Sequence, residues 1–161
     1  MAASTTKKAV IHRFDREPLC GYVNSVSFLQ PGGVELLSLE GNIASIPYDG
    51  IKTIAFVRDF SPPDQMERRA FQTRPKMEGL WVILQFHDGD SLEGIMPNNL
   101  LQVEHYGFTI VPPDSSSNQH RIFAPREALR SVEVLGVVGS PLNRRKTKPE
   151  AKEQIGLFDE P

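Results

Sequence analysis

Residues 80–96, LWVILQFHDGDSLEGIM, constrain the fold more than any other stretch of this chain. Apolar side chains alternate at Leu80, Val82, Leu84 and Phe86, the period of a strand with one buried face and not that of a helix. Asp88-Gly89 then supplies a tight-turn dipeptide and alternation resumes at Leu92, so the stretch reads as a β-hairpin. An earlier stretch, residues 10–23, carries matching positions: Val10 with Val82, Phe14 with Phe86, Leu19 with Leu92 and Gly21 with Gly94. Two copies of one small β unit are expected.

The first copy is expected over residues 8–57. Gln30-Pro31-Gly32-Gly33 and Glu40-Gly41-Asn42 read as turns around a strand at 34–39; a strand at 43–46 is ended by Pro47, and residues 51–57 close the unit. The second copy, 80–139, repeats this with 107–111, a Pro/Ser-rich loop at 112–119, and 121–124 before Pro125. Ile46, Pro47, Ile51 and Ile54 are answered by Ala124, Pro125, Leu129 and Val132. The separation grows from 72 at Val10/Val82 to 78 at Pro47/Pro125, which places the differences in turns.

An all-β chain follows. An open sheet of about four or five short strands leaves two adhesive edges, so each copy is expected to close into a small barrel. Units of about 50 residues are marginal alone, so the copies should pack together or the protein should oligomerise. The core is expected at Phe14, Leu19, Ile46, Ile54, Phe86, Leu92, Leu129 and Val132, whose alternate neighbours are polar. Between the copies lies a connector, 58–79, with Ser61-Pro62-Pro63 near its start and one short helix expected at 64–71.

The order of strand, Asp-Gly turn, Leu-x-Gly strand, Gly-led strand and a final Ile-Pro-x-x-x-Ile-x-x-Ile segment resembles the bent-strand barrels of the Sm-like and SH3-like class. Residues 56–60, FVRDF, and 121–129, RIFAPREAL, are also similar to bacterial proteins of unknown function with tandem units. Sm-like proteins bind RNA through an Arg-Gly or comparable pair before the last strand. Here Pro47-Tyr48-Asp49-Gly50 and Pro125-Arg126-Glu127-Ala128 occupy that place, so those residues do not carry over. Arg126 and Arg130 have the spacing of the PilZ arginine pair, but Asp64 stands where its companion motif needs glycine.

The chemistry-bearing residues point away from catalysis. His12, His87, His105 and His120 are scattered without metal-ligand spacing, and residues 115–117, three serines, lack an activating context. Cys20, the single cysteine, sits in an apolar strand, and the Asp88 and Asp90 carboxylates flank a turn glycine. A non-enzymatic protein with no cofactor and no metal is expected. Formal net charge is −2, no stretch of roughly 18 apolar residues exists, and MAASTTKK has no apolar run of the signal-peptide kind. A cytoplasmic protein without membrane contact is expected. Two basic clusters, Arg68, Arg69, Arg74 and Lys76 in the connector and Arg144, Arg145, Lys146 and Lys148 after the second copy, are candidates for contacting nucleic-acid phosphates.

Residues 140–161 form the most specific functional signal. Residues 142–153 cannot build a core and read as a disordered tether. Gln154-Ile155-Gly156-Leu157-Phe158 follows, with three large apolar side chains in a polar tail. This string resembles the pentapeptide with which bacterial replication and repair proteins bind the sliding clamp. The resemblance implies that the Gln154 amide bonds at a pocket rim while Leu157 and Phe158 fill the pocket, with Ile155 where leucine is commoner. An adaptor that docks through this tail is expected; binding of nucleic acid or a nucleotide ligand on the barrels is the alternative. The competing fate of Ile155, Leu157 and Phe158 is to fold back onto an open strand edge.

Overall fold

The computed structural model describes residues 5–60, 69–113 and 118–139. Among these the chain is all-β, with eleven strands, three single-turn 3-10 segments and no α-helix. The first half holds β1 (Thr6–Arg13), β2 (Leu19–Asn24), β3 (Leu29–Gln30), β4 (Gly33–Ser38), β5 (Ile43–Ile46) and β6 (Ile51–Val57). The second holds β7 (Gly79–Phe86), β8 (Ser91–Met96), β9 (Gly107–Ile110), β10 (Gln119–Pro125) and β11 (Leu129–Val138). Of the expected connector helix, residues 64–68 lie outside the described residues, and residues 69–71 are not helical.

Both halves use the same antiparallel neighbours. β1 pairs with β2 and β6 as β7 pairs with β8 and β11. Likewise β4 pairs with β5 as β9 pairs with β10, and Tyr22↔Leu37 is answered by Ile95↔Val111. Local detail repeats too. In each half a proline, Pro47 or Pro125, opens a 3-10 turn, and the following strand bulges so that one cation, Lys52 or Arg130, is left out of the ladder.

Register corrects the alignment of the first strands by one residue. Ala9↔Gly21 and Ile11↔Leu19 correspond to Val82↔Gly94 and Leu84↔Leu92, so Ala9, not Val10, is the counterpart of Val82. Side chains alternate with period 2, and a one-residue slip moves each to the other face. Ala9 and Ile11 are accordingly buried and Val10 only half-buried. Leu19 and Gly21 hold in the β1–β2 ladder the pairing positions that Leu92 and Gly94 hold in the β7–β8 ladder. Of the eight expected core residues, Ile54, Phe86, Leu92 and Leu129 are buried, and Phe14, Leu19, Ile46 and Val132 half-buried.

Among the described residues neither sheet closes on itself. Eight strands form one sheet whose main path runs β3-β4-β2-β1-β6-β10-β9, with β5 beside β4, while β11-β7-β8 form the second. The first sheet crosses from one half to the other through β6 and β10, in the register Ile54↔Phe123, Ala55↔Ile122 and Phe56↔Arg121. The cores cross with it. Phe123 of β10 packs in the first-half cluster with Ile11, Ile54 and Phe56, while Ala55 and Val57 of β6 belong to the second-half cluster with Val82, Leu84 and Phe86. The closest approaches need glycine: a Cβ on Gly33 would come 2.3 Å from the Ile46 carbonyl oxygen, and one on Gly107 would come 2.2 Å from that of Ala124.

Candidate functional site

A cleft of about 530 Å³ opens along the seam where β6 meets β10. Its floor is apolar, built from Phe28, Phe56, Met96, Phe108 and Ile110. Phe28 is held by edge contacts with Phe56, ring centroids 5.5 Å apart, and with Phe123 at 5.9 Å. On β6, strand alternation sets Phe56 in the first-half core while its neighbours Ala55 and Val57 face the second-half core.

The polar wall carries Lys7 from β1 and His120 and Arg121 from β10, with Glu104 as a carboxylate on the same lining. His120 is held below its ordinary value, first by burial and then by Arg58, Arg121 and Lys7. Its Nδ1 atom is buried and has no hydrogen-bond partner among the described residues. An unpaired buried ring nitrogen is costly, and burial together with the neighbouring positive charges disfavours the imidazolium form. The sequence contained no sign of this grouping, because Lys7 and Arg121 are brought together only by pairing between halves.

A second cluster holds the halves together. Lys52, the residue left out of the β6 ladder, donates to Asp88 at 2.6 Å and to Asp90, and its ammonium lies over the Phe86 ring at 5.3 Å. Asp88 and Asp90 thus receive a side chain of this protein as their cation. Arg69 adds a weaker contact to Asp90, 3.8 Å. Burial works against the Lys52 ammonium, but the hydrogen bonds it donates to both aspartates, with their negative charge, outweigh it and hold its value above the usual one. The Lys52 hydrogen bond holds the Asp88 carboxyl below the usual carboxylate value.

Of the connector cations, Arg69 donates through Nε to the Ser91 carbonyl at 3.1 Å and Arg74 through Nη2 to that of Val137 at 2.8 Å, while Lys76 is exposed. Arg69 and Arg74 therefore bind this strip of connector to the second sheet. Arg68, Arg144, Arg145, Lys146, Lys148 and the pentapeptide Gln154, Ile155, Leu157 and Phe158 lie outside the described residues, as do residues 115–117. Arg126 lies over the Phe108 ring at 4.9 Å and donates to the His105 carbonyl. Cys20 is half-buried in β2. Among the described residues no group of three or more His, Cys, Asp and Glu is placed to hold a metal ion, and no helix is long and apolar enough to cross a membrane.

Residues 5–136 match the model of a family of unknown function, DUF6982. The chain belongs to that family. The match spans both halves and ends within β11, so the β6–β10 seam and its cleft lie inside the family unit. No curated protein and no solved structure matches the chain.

Proposed function

We propose that this member of the family is a non-enzymatic cytoplasmic binding protein, built from two copies of one Sm-like or SH3-like barrel unit, whose seam cleft takes a small amphipathic anion of the nucleotide class. The observation that carries this reading is the buried, partnerless Nδ1 of His120, in a cleft also lined by Lys7 and Arg121. A phosphate-type anion would meet the cations, and a planar or apolar body would lie on Phe28, Phe56 and Phe108. Isothermal titration with AMP, ATP and inorganic phosphate tests it. A nucleotide should bind more tightly than phosphate, Arg121→Ala should weaken binding about tenfold or more, and the His120 ring should gain proton affinity on binding. Absence of heat together with an unmoved His120 titration in NMR would overturn the reading.

A second reading rests on Gln154-Ile155-Gly156-Leu157-Phe158: the tail docks on a protein partner, the bacterial sliding clamp being the one its pattern fits. Affinity of the micromolar class, about −7 to −8 kcal/mol, is expected, raised by avidity if the partner is a ring with several equivalent pockets. Replacing Leu157 and Phe158 by alanine should abolish capture of the clamp and leave the melting temperature unchanged. A fall in melting temperature without any clamp binding would favour docking of the tail on its own strand edges. Contact of the basic clusters with nucleic acid would instead show as a salt-dependent gel shift.

A further inference from the structure

The pairing that joins the two halves inside the chain has one unused side at each end of the molecule. β6 ends the first half and β10 lies in the second; their counterparts are β11 and β5. Among the described residues, β11 is paired only with β7, and β5 only with β4. We infer that β11 of one molecule pairs with β5 of a second copy, repeating between chains the β6–β10 contact made within the chain.

Exposure follows the missing partner. Phe56 and Val57 of β6, covered by the second half, are each 6% exposed, whereas their counterparts Val134 and Leu135 of β11 are 59% and 45% exposed. On the other end Ile43 of β5 is 71% exposed. Single exposed apolar residues are ordinary, but here they sit on two unpaired edges with neither lysine nor proline to block a new strand. Transferring the internal register sets Ser45 opposite Val132, Ala44 opposite Glu133 and Ile43 opposite Val134 of the second copy. The two most exposed apolar side chains of these edges thereby become cross-strand neighbours.

Charge makes the same match independently. Inside the chain the bulge cation Lys52 of β6 engages Asp88 and Asp90 on the turn after β7. Its counterpart in β11 is Arg130, exposed, and the counterparts of the two aspartates on the turn after β1 are Asp15 and Glu17, exposed and both acidic. The contact is heterologous, so it adds chains head to tail and either closes into a ring or runs on as a filament.

Mass measured on the full chain by light scattering and sedimentation, over a range of concentration, is the test. The wild type should exceed the 18.0 kDa of one chain, and Val134→Lys and Ile43→Lys should each reduce it to that value without changing the melting temperature. Mixing the two variants should restore a dimer of twice that mass, because one intact β11 and one intact β5 remain between them. Arg130→Glu should weaken assembly at least several-fold, and combining it with Asp15→Lys and Glu17→Lys should recover it. A wild type that stays at 18.0 kDa up to millimolar concentration overturns the inference. An assembly indifferent to both lysine substitutions, or variants that do not complement on mixing, overturns it as well.

Discussion

Lys52 of β6 donates to Asp88 of the β7–β8 turn at 2.6 Å, so the residue that the first half's last strand ejects from its ladder is the one that grips the second half. The Lys52 side chain is 16% exposed and Asp88 37%, which makes this contact partly screened. Lys52→Met, which keeps the stem over Phe86, should cost about 1 kcal/mol and lower the melting temperature by a few degrees. High salt should shrink the difference between variant and wild type. A variant as stable as wild type at low salt would show that the ion pair contributes nothing.

Acid should weaken the fold in two stages. His12 and His120 are held below the ordinary 6.5, in both cases first by burial, with Lys52 and Arg69 next at His12. Asp88 is held below 3.8 by Lys52. In each case the folded value lies under the unfolded one. Stability is therefore complete above the unfolded value and is lost as pH falls through the folded one. Melting temperature should begin to fall below about pH 6.5 and fall again below about pH 3.8. Asp88→Asn should flatten the lower stage and His12→Gln the upper; a melting temperature constant from pH 7 to 5 would contradict the histidine assignment.

Because Phe123 of β10 completes the first-half core, the halves should melt as one unit. Phe123 is fully buried, and Phe123→Ala should cost about 3 to 5 kcal/mol, moving a single calorimetric transition down by on the order of 10 °C. Two separate transitions in the wild type would mean that the seam does not couple the halves.

Glu93 links the connector to the second sheet: its Oε1 accepts from the Trp81 indole at 2.9 Å and from the Phe71 backbone N–H at 3.3 Å. Glu93→Ala should cost about 1 to 3 kcal/mol and red-shift the emission of the single tryptophan as its indole loses that partner. Unchanged emission would place the connector's hold elsewhere, for example at Arg74 and Val137.

At Gly107 a Cβ would meet backbone, and the Ala124 carbonyl cannot move without breaking the β9–β10 pairing. Gly107→Ala should therefore cost about 1 to 3 kcal/mol or more. Gly89→Ala, at φ +94° but in open space, should cost about 1 kcal/mol through backbone strain alone. Equal losses at the two sites would contradict the close approach.

Local patterns in the sequence were enough to determine the all-β class and most of the strands, because alternation and turn chemistry are properties of a few neighbouring residues, but they gave no sign of the two-residue β3 at Leu29–Gln30. They misplaced β1 by one residue, since Val10 and Val82 look alike as letters, and only cross-strand pairing tells which face each occupies. Lys52 drew no attention in the sequence, and Asp88 and Asp90 read only as a turn, because their partnership spans two strands far apart in the chain. The cleft of Lys7, His120 and Arg121 was hidden for the same reason. Whether two similar units stand apart or share a sheet depends on the free edges of β6 and β10 finding each other, a long-range hydrogen-bonding choice that no local window of residues encodes and only the tertiary structure decided.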